Sequence, residues 1–486
     1  MSEHNGGLGE IATGMYIGGE WTESASDGAE IEVLDPATAA PIAAVPSGST
    51  ADAIAAVDAA SDAAESWAAT PPRVRSEILR RSFELMVERS DDLARLIVAE
   101  MGKALPEAKA EAVYAAEFYR WFSEEAVRNL GSISTAPNGD KRIVVEHQPV
   151  GVSLLITPWN FPAAMATRKI GPALAAGCTV VLKPASDTPL TALAIAGLMA
   201  EAGTPPGVVN VLPSRRSSEV VPAMLEDPRV RKVSFTGSTE VGAGLLADAA
   251  KHIVKSSMEL GGNAPFLVFE DADIDAAIEG AMIAKLRNGG QSCIAANRFY
   301  THASIADDFS ARLSEAMKAV VVGPGMEKDV GLGPLINLRA QQDMEELVGV
   351  SAGAGATVAV GGRAPELPGF FWEPTVLSNV SPGNPILGHE IFGPVAPVVA
   401  FDTEEEAIAL SNDTIHGLAA YLYTEDLGKA MRVSEALESG MVGVNRGLIS
   451  DPAAPFGGVK ESGIGREGAH IGMLEFTETK YIAIDW

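Results

Sequence analysis

The feature that most limits how this chain can fold is a series of short, continuously apolar segments separated by stretches rich in Ala and Leu. Four such segments follow one another in the first half of the chain, at Val152–Ile156, Cys178–Leu182, Gly207–Leu212 and Val233–Phe235. Strands that are apolar along their whole length are typical of a parallel sheet that is covered by helices on both faces. The sequence therefore predicts an α/β unit with a parallel sheet at its centre.

The same pattern returns after Glu259. An apolar segment at Pro265–Phe269 is followed by a predicted helix from Asp273 through Arg287 and by another apolar segment at Arg298–Thr301. A chain of 486 residues is also longer than one hydrophobic core usually serves. We therefore predict a second α/β unit in the C-terminal half.

The region before the first sheet has a different character. Its helical periodicity predicts helices over residues 51–68 and 72–101 and a third helix from Pro106 toward Arg128. The first 20 residues have no such pattern and are expected to be weakly ordered.

Composition excludes several classes of partner. The formal net charge of −28 argues against nucleic acids and anionic membranes, which bind basic patches. No apolar stretch reaches the length of a membrane span, and the first residues do not have the pattern of a signal peptide. Two cysteines cannot form a disulfide framework, so we expect a reducing compartment and a cytoplasmic protein. Together with the charge, these features predict no nucleic-acid or membrane partner. An anionic ligand would need local Arg or Lys residues.

Cys293 is one of these two cysteines and ends the run Asn288-Gly-Gly-Gln-Ser-Cys293. Glycines before a thiol let the backbone approach a ligand closely, and a thiol outside any disulfide is a candidate nucleophile. A lone cysteine is nevertheless more often inert and buried. We assign no chemistry to Cys178, which begins an apolar segment, and we assign no metal site.

Three blocks of sequence place Cys293 in a larger pattern. They are Thr157-Pro-Trp-Asn-Phe-Pro162 with Lys183-Pro-Ala-Ser186, then Phe235-Thr-Gly-Ser-Thr-Glu-Val-Gly242 with Glu259-Leu-Gly-Gly-Asn263, and last Cys293 with Glu390-Ile-Phe-Gly-Pro394. In this order and spacing they closely resemble the aldehyde dehydrogenase superfamily. The resemblance covers nearly the whole chain, from Gly18-Gly-Glu-Trp21 to the final predicted strand.

This resemblance implies the catalytic roles. Cys293 would attack the aldehyde carbon as a thiolate, giving a thiohemiacetal and then a thioester, and Glu259 would activate the water that hydrolyses the thioester. Asn160 would donate a side-chain N–H to the developing oxyanion, beside the backbone N–H of Cys293. Lys169 and Glu467 match positions proposed to relay protons to the general base. The alternative for these two is an ordinary salt bridge.

The cofactor site is also implied by the resemblance. The run Gly237-Ser-Thr-Glu-Val-Gly242 follows a predicted strand and opens a predicted helix, so a helix N-terminus would face a pyrophosphate. Lys183 resembles the residue that bonds the adenosine ribose, Glu390 the residue that holds the nicotinamide ribose, and Phe392 the residue that packs near that ring. The expected cofactor-binding residues are Thr157, Pro158, Trp159, Lys183, Ser186, Gly237, Ser238, Gly242, Leu260, Glu390 and Phe392.

Ser186 stands where many NAD-preferring members have Glu. A carboxylate there would repel a 2′-phosphate, whereas Ser removes the charge and adds a donor beside the cation of Lys183. Arg215 and Arg216 could help to neutralise a phosphate, or they could be solvated. We predict NADP as the preferred cofactor, with NAD as the alternative.

Two arginines narrow the substrate class. Arg168 and Arg287 match the carboxylate-binding arginines of succinate-semialdehyde dehydrogenases, and Ser450 matches a third polar contact in that group. Two guanidinium groups can bind one carboxylate bidentately. The alternative is that both arginines pair with acidic neighbours, which are plentiful in this chain.

The resemblance thus implies NAD(P)-dependent oxidation of succinate semialdehyde, an anionic aldehyde, to succinate. Three alternatives stay open. The substrate could be another aldehyde, such as glutarate semialdehyde or an aromatic or aliphatic one. The protein could be a non-catalytic scaffold on the same fold, or it could act as an esterase.

The family fold implied here is α/β, with two Rossmann-like domains and a small β-strand arm for oligomerisation. The expected boundaries are 1–128 and 149–258 for the cofactor-binding domain, 259–470 for the catalytic domain, and 129–148 and 471–486 for the arm.

Two segments suggest that arm. Residues 141–146 follow a polar break at 132–140 and are predicted to form an exposed strand, and the alternation in 479–484 predicts an edge strand. Exposed strands that pair between chains are physically reasonable, and a homodimer or homotetramer is expected.

Overall fold

The computed structural model describes residues 12–485. The strands of this part are Met15–Ile17 (β1), Glu20–Thr22 (β2), Glu30–Asp35 (β3), Ala40–Pro46 (β4), Ser132–Thr135 (β5), Arg142–Pro149 (β6), Val152–Ile156 (β7), Val180–Lys183 (β8), Val209–Val211 (β9), Val230–Thr236 (β10), Lys255–Glu259 (β11), Ala264–Val268 (β12), Ala296–His302 (β13), Thr357–Val360 (β14), Thr375–Ser378 (β15), Val395–Phe401 (β16), His416–Gly417 (β17), Ala419–Tyr423 (β18), Met441–Val444 (β19), Val459–Lys460 (β20), Gly463–Ile464 (β21) and Thr477–Ile484 (β22).

The helices are Thr50–Ala69 (α1), Pro72–Glu88 (α2), Ser90–Met101 (α3), Leu105–Glu125 (α4), Pro162–Ala176 (α5), Leu190–Glu201 (α6), Ser217–Glu226 (α7), Thr239–Ala250 (α8), Ile274–Leu286 (α9), Ala306–Lys318 (α10), Leu338–Gly353 (α11), Glu404–Asn412 (α12), Leu427–Ala436 (α13) and Ala469–Leu474 (α14). Short 3₁₀ turns occur at Ala126–Arg128, Arg287–Gly290 and Pro385–Gly388.

The first large sheet has the order β2-β1-β9-β8-β7-β10-β11-β21. Strands β9, β8, β7, β10 and β11 run parallel. Every residue of β7 is buried, and its side chains alternate between two cores: Leu155 packs with α2–α6, and Leu154 packs with α1 and α7. A sheet with helices on both faces explains why β7 and β8 read as continuous apolar runs.

The second sheet has the order β14-β15-β16-β13-β12-β18-β19, and only the edge strand β14 is antiparallel to its neighbour. Here too one strand serves two cores, because Leu267 and Phe266 of β12 lie on opposite faces. The predicted α/β fold with two parallel sheets is confirmed.

A third, smaller sheet joins β22, β6 and β5 in that order. The C-terminal strand pairs with β6 in antiparallel register from Thr477↔Pro149 to Ile484↔Arg142, so it forms the predicted edge strand. The expected polar break at 132–140 is wrong in part, because Ser132–Thr135 pairs with β6 as the other edge. Its alternation of small polar residues with Ile133 suits a strand, and polarity alone concealed that pattern.

Two other expectations need correction. The helix expected over 72–101 is two helices, because the backbone leaves the helical region at Arg89, where φ is −110° and ψ is 24°. Asp91 and Asp92 then stand in the first turn of α3, where acidic residues stabilise a helix start. Residues 15–22 form an antiparallel hairpin rather than a weakly ordered segment, and residues 1–11 lie outside the described residues.

The predicted domain boundaries stay a prediction. The expected catalytic domain includes residues 463–464. These residues form β21, which pairs with β11 at the end of the first sheet. The described helices include none that is long and apolar enough to cross a membrane.

Candidate active site

The loop that carries Cys293 joins α9 to β13 of the second large sheet and has an unusual backbone. Directly after α9, Asn288, Gly289 and Gly290 have φ values of 57°, 64° and 75°, in the left-handed region that favours Gly and Asn. A Cβ on Gly290 would lie only 2.2 Å from the carbonyl oxygen of Gly393. The glycine in the motif therefore permits a close backbone approach that positions Cys293.

The Cys293 thiol is half-buried and packs near the second glycine of the Glu259 motif. A Cβ on Gly262 would lie 2.1 Å from the Cys293 carbonyl oxygen. Burial raises the pKa of the Cys293 thiol to about 12, the Glu390 carboxylate adds to this shift, and the Arg168 cation opposes it. The resting thiol is therefore protonated at neutral pH, and a base must take its proton before it can attack.

Glu259, at the end of β11, has the environment of such a base. Its side chain is buried, and neither carboxylate oxygen has a hydrogen-bond partner within residues 12–485. Burial raises the pKa of Glu259 well above its ordinary value, and the charge of Glu467 adds to the shift. Lys169 and Arg168 oppose it. A carboxyl group with a raised pKa accepts a proton more readily than an ordinary surface glutamate does.

Lys169 and Glu467, the two expected relay residues, contact each other. Lys169 Nζ donates to Glu467 Oε1 at 2.5 Å and to Ser234 Oγ at 2.8 Å, and all three side chains are buried. The salt bridge that the sequence left open is therefore present. Because both charges act on Glu259, the same geometry keeps the pair beside the candidate base.

Asn160 is buried and firmly held. Its side-chain Nδ2 donates to the carbonyl oxygen of Gln291 at 3.0 Å, which leaves one N–H of the amide free. The backbone carbonyl oxygen of Asn160 accepts from Lys103 Nζ and from Asn288 Nδ2, each at 2.9 Å. In the described chain the backbone N–H of Cys293 makes no hydrogen bond. Two uncommitted N–H groups are thus available in the Asn160 and Cys293 region, as an oxyanion requires.

The expected substrate-binding residues share one narrow cavity with the thiol. Arg168, Arg287 and Ser450 all line it together with Cys293. The rest of the wall is Tyr114, Phe161, Met165, Ser292, Ile294 and Phe456. A mainly apolar wall with a few cations suits a short carbon chain that ends in an anion.

The two arginines differ in what they already bind. Arg168 Nη2 donates to Tyr114 Oη at 2.8 Å, and Arg168 Nη1 lies 3.6 Å from Glu467 Oε2. For Arg287, no hydrogen bond or salt bridge occurs among residues 12–485; its guanidinium lies 4.8 Å from the Phe161 ring centroid and 5.8 Å from that of Tyr114. Arg168 is therefore paired in part with an acidic neighbour, whereas Arg287 makes no salt bridge in the described chain and interacts with Glu107 only through its charge.

The glycine run 237–242 begins a helix as expected. Ser238 is the N-cap of α8, and its side chain caps no backbone N–H in the described structure, so the first turn keeps its donors. Gly242 lies against buried Leu260, because a Cβ there would lie 2.3 Å from Leu260 Cδ2. Gly237 N–H donates to the Glu259 carbonyl oxygen at 3.1 Å, which ties this turn to the strand of the candidate base.

Lys183 and Ser186 follow β8, next to the first block. Thr157 N–H donates to the Lys183 carbonyl oxygen at 3.2 Å, and burial lowers the pKa of the Lys183 ammonium to about 8, opposed by Asp187. Ser186 is half-buried. The Asp187 carboxylate, which the sequence prediction did not consider, interacts with the charges of Arg215 and Lys183.

Glu390 lies close enough to Cys293 for its charge to raise the pKa of the thiol, and Phe392 follows two residues later. Gly262 N–H donates to Glu390 Oε1 at 3.0 Å, and burial raises the pKa of Glu390 to about 7, opposed by that bond. Phe392 packs edge-on against Trp159 at 5.5 Å, and Pro158 beside it is half-buried.

These features fit a dinucleotide. An uncapped helix start, a buried lysine and a polar carboxyl group near the thiol together offer partners for a pyrophosphate and two riboses. The described residues contain no cluster of three His, Cys, Asp or Glu side chains that could hold a metal ion.

Comparison with known proteins agrees with this geometry. The aldehyde dehydrogenase family matches residues 21–482. The chain belongs to this family.

Its relatives include proteins with carboxylated substrates in their names. The chain is 55% identical to the succinate-semialdehyde dehydrogenase of Paenarthrobacter nicotinovorans, over 91% of this chain and 98% of that protein. It is 50% identical to the glutarate-semialdehyde dehydrogenase of Pseudomonas aeruginosa, over 96% of this chain and 97% of that protein. A crystal structure described as an E. coli NADP dependent enzyme has a TM-score of 0.97 and 47% identity, covering 99% of this chain and 100% of that one.

The residues in or beside the site of this aldehyde dehydrogenase that the sequence prediction missed include Tyr114, Lys103 and Glu111. Tyr114 lines the thiol cavity. Lys103 pairs with Glu111 in the interior and holds the Asn160 carbonyl, and Glu111 accepts from Ala163 N–H at 2.9 Å at the start of α5. All three lie before residue 128, in a helical region whose periodicity indicates packing and gives no signal of a site.

Proposed function

We propose that this aldehyde dehydrogenase oxidises succinate semialdehyde to succinate, with NADP as the preferred cofactor. The observation that carries the proposal is the position of Arg287, whose guanidinium makes no hydrogen bond or salt bridge within the described chain, in the same narrow cavity as Cys293. A guanidinium and a thiol on the wall of one narrow cavity can bind the carboxylate and the aldehyde of the same short chain.

The residues of this chain divide the chemistry between them. Glu259 takes the thiol proton, and the Cys293 sulfur forms a bond to the aldehyde carbon, so that the carbonyl oxygen becomes an oxyanion. The free N–H groups of Asn160 and Cys293 stabilise that charge, and removal of one such donor typically costs about 3 kcal/mol of transition-state stabilisation. The thiol proton then leaves Glu259 for solvent, and we assign this transfer to the neighbouring pair Lys169 and Glu467. After oxidation to the thioester, the deprotonated Glu259 removes a proton from water as the water adds to the acyl carbon. Cleavage of the C–S bond then releases the acid and regenerates Cys293.

The cofactor supplies a hydride acceptor when it is bound. The donors at the start of α8 would hold its pyrophosphate, Lys183 and Ser186 its adenosine ribose, and Glu390 its nicotinamide ribose, with Trp159 and Phe392 near the ring.

The NADP preference rests on Lys183 and Ser186. Arg216 is already paired with Asp27, and Arg215 Nη2 donates to the Glu32 carbonyl oxygen at 3.1 Å. The buried ammonium of Lys183 is therefore the cation that we assign to a 2′-phosphate, with the Ser186 hydroxyl as a second donor. The similar E. coli structure, which is described as an NADP dependent enzyme, is consistent with this assignment.

Glutarate semialdehyde is the second candidate substrate. It carries the same terminal carboxylate on a chain that is one carbon longer, and a 50% identical relative carries it in its name. Aromatic and unsubstituted aliphatic aldehydes rank lower because they offer nothing to Arg287.

We also propose the division into a cofactor-binding domain, a catalytic domain and an arm, and a cytoplasmic homodimer or homotetramer. The arm sheet supports the oligomer because both of its edge strands lie at the surface and Ile133 on β5 is 76% exposed. Light scattering of the purified protein tests this: a dimer or tetramer supports it, and a monomer at micromolar concentration refutes it.

The test of the main proposal is steady-state kinetics with succinate semialdehyde, glutarate semialdehyde, butanal and benzaldehyde, each with NAD and NADP. We expect the highest kcat/KM for succinate semialdehyde with NADP. A neutral aldehyde that matches or exceeds both carboxylated ones would refute the substrate class, and a higher kcat/KM with NAD would refute the cofactor preference.

A further inference from the structure

Tyr114 lies between the two arginines of the thiol cavity. It is part of α4 and half-buried. The guanidinium carbons of Arg168 and Arg287 lie 5.9 Å and 5.8 Å from the centroid of its ring. The Tyr114 ring thus lies within 6 Å of both guanidinium groups of the cavity wall.

The hydroxyl of Tyr114 has a proton to give. Arg168 Nη2 donates to Tyr114 Oη at 2.8 Å, which occupies an oxygen lone pair. A phenol also has one O–H donor, and among residues 12–485 the Tyr114 hydroxyl donates to no acceptor. A hydrogen bond received from a cation polarises the phenol and makes its own O–H a stronger donor.

Aromatic rings surround Arg168. Phe456 lies 4.2 Å and Phe118 5.1 Å from its guanidinium carbon, and Glu467 Oε2 lies 3.6 Å from its Nη1. The side-chain hydrogen bond that Arg168 makes within the described chain is the one to the Tyr114 hydroxyl, whereas Nε and Nη1 have no hydrogen-bond partner there. Arg168 therefore acts on Tyr114 directly.

We propose that Tyr114 is a specificity residue that donates a hydrogen bond to the carboxylate of an ω-carboxylated aldehyde. Arg287 supplies the charge, Tyr114 the second polar contact, and Arg168 orients and polarises Tyr114. This inference rests on the proposed function, because it concerns the same substrate carboxylate.

The test is Tyr114→Phe, which removes the hydroxyl and keeps the ring. The readout is the ratio of kcat/KM for succinate semialdehyde to kcat/KM for butanal, which has the same carbon number without the carboxylate. We expect this ratio to fall roughly 10-fold or more, as is typical for the loss of a hydrogen bond to a charged group. An unchanged ratio overturns the proposal.

The matched control is Tyr300→Phe. The Tyr300 hydroxyl also accepts from an arginine, Arg298 Nη1 at 3.4 Å, but Tyr300 does not line the thiol cavity. We expect its ratio to equal that of the wild type. A fall as large as that of Tyr114→Phe would attribute the effect to general loosening and overturn the proposal.

Two further measurements distinguish a failure of the proposed function from a failure of the role of Tyr114, and a direct role of Tyr114 from an indirect one. Arg287→Ala in the same assay tests the proposed function: if its ratio falls while that of Tyr114→Phe does not, only the role of Tyr114 fails. The pH profile of kcat for Tyr114→Phe should match the wild type. A shift in that profile would mean that Tyr114 acts through Arg168 and Glu467 on the base, which contradicts a direct bond to the substrate.

Discussion

Arg168 Nη1 lies 3.6 Å from Glu467 Oε2, so one buried carboxylate joins the substrate side of the site to the base side. The other oxygen of Glu467 accepts from Lys169 at 2.5 Å. Glu467 also acts on Glu259, whose pKa is raised first by burial and then by this neighbouring charge. Glu467 therefore affects two neighbours at once. Its charge raises the pKa of Glu259, and its Oε2 atom interacts with the guanidinium of Arg168 in the cavity wall.

Replacement of Glu467 by Gln should shift the pH dependence of turnover. Removing a negative charge lowers the pKa of Glu259, so the base is deprotonated at lower pH and the acidic limb of the kcat profile moves to lower pH. The control is Glu475→Gln, because Glu475 also pairs with a buried lysine, Lys232, but is not among the main causes of the shift in the pKa of Glu259. An acidic limb that stays in place or moves to higher pH would contradict the electrostatic link.

The protonated state of Cys293 predicts its reactivity without cofactor. Because burial raises its pKa to about 12, its rate of alkylation by iodoacetamide should rise about tenfold per pH unit from pH 7 to pH 10 without a plateau. Mass spectrometry of tryptic peptides gives the rate for each cysteine. Cys178, which is fully buried, serves as the internal control and should remain unmodified. A plateau near pH 8 for Cys293 would show a thiol that is already ionised in the resting protein.

Lys103 should matter for stability as well as for the position of Asn160. Lys103→Met leaves Glu111 buried without its cation, and breaking a buried pair typically costs about 3–5 kcal/mol. The double variant Lys103→Met with Glu111→Gln should recover part of that loss, since Gln can still accept from Ala163 N–H without a charge. The measurement is thermal unfolding of each variant.

The control for that series is Arg80→Ala, which breaks a salt bridge to Glu84 at the surface, with both side chains more than 40% exposed. Exposed pairs contribute little, so its melting temperature should stay close to that of the wild type. Equal losses for Lys103→Met and the double variant would show that an unpaired Glu111 is not the cause.

A negative charge in place of Ser186 should change the preference between NADP and NAD. Ser186→Glu places a carboxylate near the site assigned to the 2′-phosphate, so kcat/KM for NADP should fall at least about tenfold relative to that for NAD. Ser186→Ala removes the hydroxyl without adding charge and should cause a smaller change. If Ser186→Glu left the NADP to NAD ratio unaltered, the phosphate would not bind beside this residue.

The sequence predicts the parts of this molecule that have a local signature. Strand β7 and the helix after the Gly237 turn follow from apolar runs and glycine placement, and Cys293, Glu259 and Asn160 follow from motifs that resemble a family. The break at Arg89 does not, because helical periodicity continues through it. The roles of Tyr114 and Lys103 do not either, because they depend on contacts with residues 54 and 57 positions away in the chain.

The pairing of Glu467 shows the same limit. Its match to a family position gives the identity of a candidate relay residue, whereas its bonds to Lys169 and its distance to Arg168 arise from the packing of α5 against a segment 298 residues later. Only the folded structure shows that one carboxylate serves both neighbours.

The measurement that tests the central claim most directly is the ratio of kcat/KM for succinate semialdehyde to kcat/KM for butanal in the wild type and in Arg287→Ala. Because the Arg287 guanidinium makes no hydrogen bond or salt bridge within the described chain and lines the cavity, its loss should reduce the ratio roughly 100-fold. Arg312→Ala, which removes an exposed arginine paired with Asp308 and Asp275, should leave the ratio unchanged. Equal losses for the two aldehydes in Arg287→Ala would contradict the account, since Arg287 would then serve the fold or the thiol and would not select the carboxylate.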